Sequence, residues 1–402
     1  MKQKHKRTLA ALAAFILALA AFPGALTEAL PGEETREANT RYQPAFEGQT
    51  RAPGLPPATF QVRVLSEALN APWAVTALPD GRLAITEKAG FVRLYSQETG
   101  LSEPIPGITG VWNEAQGGLL DLAPAPDFTD SRLIYFTLAL QTEGGSLTAL
   151  GRGRLSDDER AIEHFEILWR AGPAHTISGH YGSRIALSPD GLLFISTGDR
   201  QDSSTRMNAQ QTNNGWGKIV RLTLSGEAAP GNPFEQQNGA LPEVWSLGHR
   251  NVQGLAIHPQ TGELWASEMG PRGGDELNRI LPGHNYGWPV ITYGIEYSGE
   301  AVGEGLTAQE GMEQPVYYWD PVLAASGMDF YAGDAIPDWH NDLFIAGLGG
   351  SHVSRLKLDG NQVVGEEWLL ADEGQRFRDV ADGRDGALYI ITDQGRLYRL
   401  GP

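Results

Sequence analysis

The segment Pro189-Asp190-Gly191-Leu192-Leu193-Phe194-Ile195-Ser196-Thr197-Gly198-Asp199 decides the fold. A Pro-Asp-Gly turn leads into a run of β-forming residues and stops at a glycine. The same unit recurs along the chain. Pro79-Asp80-Gly81 precedes RLAITE, and Pro126-Asp127 leads, after FTD, into SRLIYFTLAL. Pro259-Gln260-Thr261-Gly262 precedes ELWASEMG. Pro337-Asp338 leads, after WH, into NDLFIAGLGG, and Arg384-Asp385-Gly386 precedes ALYIITDQG. Six turn-strand copies at intervals of about 45–80 residues predict an all-β, six-bladed β-propeller, one copy per blade. The rival is a pair of β-sandwiches, which rarely repeat internally. An open sheet edge is avoided if the ends meet, so Phe60–Leu65 is expected to complete the blade formed by Ala387–Leu400.

Composition agrees. The 402 residues include 50 Gly and 25 Pro, as many short strands joined by tight turns require. There is no Cys, which excludes disulfides, zinc thiolate sites and thiol catalysis. A formal net charge of −18 argues against nucleic acid or an anionic membrane as partner.

Three regions are expected. Residues 1–29 read as an export signal: Lys2, Lys4, Lys6 and Arg7 precede an apolar stretch, Thr8–Phe22, then small residues near Ala25 and Ala29. That stretch is shorter than the roughly 20 residues of a bilayer-spanning helix; a retained anchor is the alternative. The mature protein is thus expected to be periplasmic or secreted, with no stable membrane partner. Residues 30–58 lack hydrophobic periodicity and read as a flexible linker. Residues 59–402 form the propeller domain, beginning where TFQVRVL alternates apolar and polar side chains.

Several motifs carry chemistry. In SGHYGSR, Ser178–Arg184, His180 stands between glycines at a strand entrance, suited to a general base; the alternative is a surface or hydrogen-bonded core histidine. Gln116, before Gly117-Gly118, either points into a central site or caps a turn. Arg250 and Asn251 in LGHRNVQG supply a permanent cation and an amide, for an anion or for a backbone network between blades. The loop EMGPRGGDE, Glu268–Glu276, offers carbonyls and carboxylates to a hard cation such as calcium, without EF-hand spacing; Asp275 and Glu276 alternatively bond turn amides. Arg376 and Arg378 lie on one face if extended, facing an anion or paired with carboxylates.

Together with APWAV (Ala71–Val75), QGGLLDLA (Gln116–Ala123), HNYGWP (His284–Pro289), SGMDFY (Ser326–Tyr331) and RFRD, these motifs cover Leu69–Leu400 in an order that resembles the glucose/sorbosone dehydrogenase family. Members of that family are soluble aldose sugar dehydrogenases that use pyrroloquinoline quinone (PQQ) on a six-bladed propeller. The resemblance implies oxidation of an aldose at C1 to a lactone, with hydride passing to the quinone's C5 and electrons then to an external acceptor. It places His180 at the general base and Arg250 and Asn251 on the cofactor, with Arg250 polarising its reactive carbonyl. Arg376 and Arg378 fall on the cofactor carboxylates and Gln116 on the substrate side. Gly270 and Pro271 fall at carbonyls that hold calcium, with Asp275, Glu276 and Tyr286 near that metal. A tricarboxylate cofactor needs cations, which three arginines and a calcium supply.

Two positions depart from the family pattern. Some relatives carry an Asp just before the histidine, where this chain has Gly179. Some carry a basic residue where this chain has Gly349, a loss that His352 or Arg272 would have to make good. The other functions weighed are a non-enzymatic sugar- or protein-binding propeller and a calcium-dependent lactonase working without quinone.

Overall fold

The computed structural model describes residues 32–402, so the export-signal reading of residues 1–29 lies outside the described residues. The first blade holds β2 (Pro72–Ala77), β3 (Leu83–Glu87), β4 (Phe91–Ser96) and β5 (Gly100–Leu101), preceded in the chain by β1 (Gln61–Ser66). The second holds β6 (Leu119–Pro124), β7 (Leu133–Thr142), β8 (Gly145–Leu155) and β9 (Ile162–Arg170). The third holds β10 (Ile185–Leu187), β11 (Leu193–Ser196), β12 (Lys218–Leu222) and β13 (Val244–Leu247). The fourth holds β14 (Val252–Ile257), β15 (Leu264–Glu268), β16 (Asp275–Ile280) and β17 (Tyr317–Trp319). The fifth holds β18 (Ala325–Phe330), β19 (Leu343–Gly347), β20 (Val353–Asp359) and β21 (Gln362–Leu369). The sixth holds β22 (Phe377–Asp382), β23 (Leu388–Thr392) and β24 (Leu397–Gly401), with β1 as its outer strand.

Each blade is a four-stranded antiparallel sheet, and the first strands β2, β6, β10, β14, β18 and β22 adjoin one another in a closed ring. The six turn-strand copies are the turns joining first to second strand in the six blades. The ends meet as expected: Val62 pairs with Leu400 and Val64 with Tyr398, which removes an open edge from the ring.

The core is divided. One apolar cluster fills each of the six wedges between neighbouring blades. A second strand such as β11, β19 or β23 is therefore covered on both faces, which is why it reads as a continuous apolar run. Side-chain hydroxyls stitch the blades together near the axis. Thr137 Oγ1 donates to Ser183 O at 2.6 Å, Ser196 Oγ to Val252 O at 2.9 Å and Ser267 Oγ to Ser326 O at 3.0 Å.

The flexible-linker expectation is corrected for residues 32–58. They lack regular structure but lie against the fourth and fifth blades. The Asp320 carboxylate accepts from Asn39 N, Thr40 N and Thr40 Oγ1 at 2.8–3.1 Å. Gly54 bridges Glu366 on β21, and Ala52 is buried against the Tyr317 hydroxyl. Polar composition misled because these backbone groups are satisfied by distant blades rather than by local structure.

Candidate active site

At the starting ends of the inner strands a cavity of about 360 Å³ is lined by Trp73, Lys88, Gln116, Met269, Arg376, Arg378 and Asp393, among others. A second cavity, of about 460 Å³, faces the finishing ends of the same strands and is lined in part by Asp121, Arg184, Asp329 and Asp379. Arg184 closes the axis between them. Its Nη1 lies 2.9 Å from Asp379 and 3.3 Å from Asp121, and its guanidinium stacks 4.2 Å from the Trp73 ring. Of the residues singled out in the sequence, Gln116, Arg376 and Arg378 line the first cavity, while His180, Arg250 and Asn251 touch its wall through Gln116 and Met269.

His180 is buried, with φ of 42°, a left-handed conformation that a non-glycine residue keeps only where its surroundings enforce it. Arg200 enforces it: its guanidinium donates to the carbonyls of Ile177, Gly179 and Ser146 at 2.5–3.0 Å while stacked on Tyr181. His180 Nδ1 lies 2.6 Å from Asp199 Oδ1, and Trp288 Nε1 donates to Asp199 Oδ2 at 2.8 Å. With Nδ1 committed, Nε2 is the nitrogen left to accept a proton. Burial first, then the charge of Arg250, pushes His180 below its ordinary value of 6.5 against the pull of Asp199. Burial would raise Asp199, but His180 and Arg250 outweigh it and hold the carboxyl below its ordinary range. Gln116 faces the cavity, and its Oε1 accepts from His180 N at 2.9 Å.

Arg250 and Asn251 stand behind Met269 in the cavity wall. Arg250 Nη1 donates to Met269 O at 2.9 Å and to Gly270 O at 2.6 Å, with the guanidinium 5.2 Å from the Trp288 ring. Its Nε is buried without a partner, a donor waiting for an acceptor. Asn251 Oδ1 accepts from Gly182 N, tying it to the His180 loop. Arg376 and Arg378 share Asp393, at 3.0 Å and 2.8 Å, and Arg378 Nη1 also donates to Gln253 Oε1. The pair is ion-paired and it lines the cavity.

The expected metal residues split. Asp275 uses both oxygens on main-chain amides, those of Gly270, Leu323 and Ala324, and so shapes the loop. The Tyr286 hydroxyl donates to Arg279 O and accepts from Leu281 N, so only its carbonyl is left for a metal. Gly270 and Glu276 line a space of about 10 Å³ together with Glu268 and Tyr286, and Pro271 follows Gly270 on the loop. Glu276 lies directly opposite Glu268 across β15 and β16. Burial, then Glu268, raises Glu276 well above the usual carboxylate range. Like charges facing each other across a sheet destabilise it, and a cation between them removes that penalty. Among the described residues no group of three His, Cys, Asp or Glu side chains is arranged around a metal. Calcium therefore fits there only with main-chain carbonyls completing its shell.

The motifs missed Asp199, Trp288, Lys88 and Asp393. A signal existed. His180 to Asp199 and His249 to Glu268 are both nineteen residues apart, and His249 Nδ1 lies 3.0 Å from Glu268. Glu87, Asp199, Glu268 and Asp393 all fall at or just past the end of a second strand, and each meets a cation or imidazole. Gly179 leaves the room that the Gln201 side chain occupies, and Asp199 supplies the carboxylate missing before His180. Neither proposed replacement for the cation at Gly349 reaches the cavity. His352 stacks on Trp368, and Arg272 Nε donates outward to Asn39.

The family model described as Glucose / Sorbosone dehydrogenase matches residues 69–399. The aldose sugar dehydrogenase YliI of Escherichia coli K12 is 43% identical over 354 residues, covering 86% of this chain and 94% of that protein. A crystal structure described as glucose dehydrogenase superposes with TM-score 0.82 at 46% identity, covering 85% of this chain and 99% of that one. The PQQ-bound aldose sugar dehydrogenase of Streptomyces coelicolor gives 0.70 at 30% identity, covering 86% and 99%.

Proposed function

Because the chain belongs to the glucose/sorbosone dehydrogenase family, we propose that it is a PQQ-dependent dehydrogenase oxidising aldose sugars at C1 to lactones. The observation that carries this reading is the His180–Asp199 pair, with Nε2 free, beside a cavity rich in cations.

The residues divide the work as follows. His180 Nε2 takes the proton of the C1 hydroxyl as the C1–H bond breaks and the C1=O bond forms. The quinone, held by Arg250, Asn251, Arg376 and Arg378, would supply the two-electron oxidising chemistry. Asp199 fixes the imidazole tautomer and balances the cation formed, and Trp288 fixes Asp199. Gln116 orients the sugar at the cavity wall. Arg250 offers its unpartnered Nε to the cofactor's reactive carbonyl, with Asn251 beside it. Arg376 and Arg378 bind the cofactor carboxylates.

Calcium is proposed at the carbonyls of Gly270, Pro271 and Tyr286 with Glu276, with Asp275 shaping the loop. It would polarise the cofactor and balance its charge. Electrons would leave to an external acceptor. Among the described residues no helix is long and apolar enough to cross a membrane, and the N-terminal pattern supports export to the periplasm or beyond.

The test is reconstitution. Protein loaded with PQQ and calcium should reduce a dye acceptor when given aldoses, and His180→Ala should not. A His180→Ala variant with full turnover removes His180 from its role. Turnover without quinone would favour the lactonase chemistry instead.

A further inference from the structure

The cavity holds a cation that no motif announced. Lys88 follows Glu87 at the end of β3, and its ammonium faces the same space as Gln116, Arg376 and Arg378. Its main chain is pinned on both sides: Lys88 N donates to Ala71 O and Lys88 O accepts from Leu119 N. Gly118 is what allows this approach. A Cβ there would stand 2.8 Å from Lys88 Cβ, and its φ of 145° disfavours other residues, so the Gly117-Gly118 step has a packing reason. The side chain is half-buried, and Nζ donates to Ala115 O at 2.6 Å, beside Gln116. That carbonyl is its one polar contact among the described residues. Burial disfavours its charge and Arg378 repels it, outweighing the pull of Asp393, so its ammonium is held below the ordinary lysine range.

A cation placed beside Arg378, with no ion pair of its own and only Asp393 near enough to attract it, is unfavourable unless a further anion joins them. Asp393 already balances part of the arginine pair. The three cations and one carboxylate of this wall leave a surplus of two positive charges in an otherwise acidic protein. Gly349 contributes none, and His352 and Arg272 point elsewhere.

We infer that Lys88 is a cofactor-binding residue: its ammonium pairs with a carboxylate of the quinone, taking the place of the basic residue absent at Gly349. This rests on the proposed quinone site and deepens it by adding a residue from the first blade. Lys88 is then positioned between the substrate-side Gln116 and the carboxylate-side Arg378, so it fixes the quinone's orientation as well as its charge.

The test is a titration of the full chain with PQQ and, separately, with its uncharged trimethyl ester, followed by quinone absorption and tryptophan quenching. Wild type, Lys88→Met and Lys88→Arg are compared. Lys88→Met should bind PQQ on the order of tenfold more weakly, as loss of one charge-assisted contact implies. Its affinity for the ester should hold, and Lys88→Arg should recover PQQ binding. Equal PQQ affinity in wild type and Lys88→Met overturns the inference while leaving the quinone site standing. Parallel loss of PQQ and ester also overturns it, because that marks a general structural role. A wild-type protein that binds no quinone overturns the proposed function and the role of Lys88 with it.

Discussion

Asp199 lies 2.6 Å from the imidazole of His180 across nineteen residues of chain. Its carboxylate holds Nδ1–H, which leaves the lone pair of Nε2 for the proton that the proposed base would accept. In Asp199→Asn the amide can donate to Nδ1, which moves the ring proton to Nε2 and blocks the base. The expected result is a loss of kcat of about 10²–10⁴-fold with the fold intact. Steady-state kinetics with circular dichroism check this, and near-normal kcat would show that the tautomer does not matter.

The same pair sets a pH dependence. His180 must be neutral to act, and burial and Arg250 keep it so to below pH 6.5. The midpoint of the acid limb in the kcat/KM profile should therefore lie below pH 6.5. Stability follows the same sign: below 6.5 the unfolded chain takes a proton that the folded imidazole refuses, so stability is lost as pH falls. His180→Gln should show a weaker acid loss than wild type in urea unfolding at pH 5 and 7.

The propeller was legible because its signal is local. Each Pro-Asp-Gly turn and the apolar run after it, such as LLFIS or LYIIT, reports a strand covered on both faces. The cavity residues Gln116, Arg376 and Arg378 were legible as motifs for the same reason. Asp199 and Lys88 were not, because their meaning depends on which blades face each other. Past the end of β11, Asp199 brings a carboxylate to His180 despite Gly179, whereas His352 and Arg272 bring no cation near Gly349 to the cavity. Residues 32–58 were misread because Asp320 and Glu366, which hold them, lie some three hundred residues away.

Lys218 offers a test of burial without an ion pair. Its side chain is fully buried, and Nζ donates to the carbonyls of Asn208, Ala209 and Trp216 at 2.5–3.1 Å. Burial lowers it to about 7. Between about pH 7 and its ordinary 10.5 the unfolded chain holds a proton that the folded chain has released, so folding gains stability as pH rises. The stability of wild type relative to Lys218→Met should therefore rise with pH in that window, by up to about 1.4 kcal/mol per unit. Urea unfolding at pH 6.5 and 9 measures it, and a constant difference would place the titration elsewhere.

The N-terminal strap makes a separate prediction. Asp320 receives three hydrogen bonds from Asn39 and Thr40, and Asn39 Nδ2 donates to Pro321 O. Asp320→Ala removes the shared acceptor and leaves two amides seeking water, at about 1–3 kcal/mol. Trypsin should then cut at Arg36 or Arg41 faster than in wild type, while the sheet signal in circular dichroism persists. Unchanged cleavage would mean that Arg51 and the Glu366 bridge hold the strap alone.

Calcium should act through Glu276. Facing Glu268 across the β15–β16 register, its carboxylate carries a repulsion that a divalent ion relieves. Adding calcium to the metal-free chain should raise Tm, since a ligand bound only by the folded state stabilises it in proportion to occupancy. Glu276→Gln removes both the repulsion and a ligand, so that variant should start more stable without metal and gain little from calcium. Asp275→Asn should behave differently. It disturbs the amides of Gly270, Leu323 and Ala324 and lowers Tm whether or not calcium is present. Thermal melts of the three proteins with calcium and with chelator separate the two roles. A Glu276→Gln protein that keeps the full calcium response would move the ion away from this pair of carboxylates.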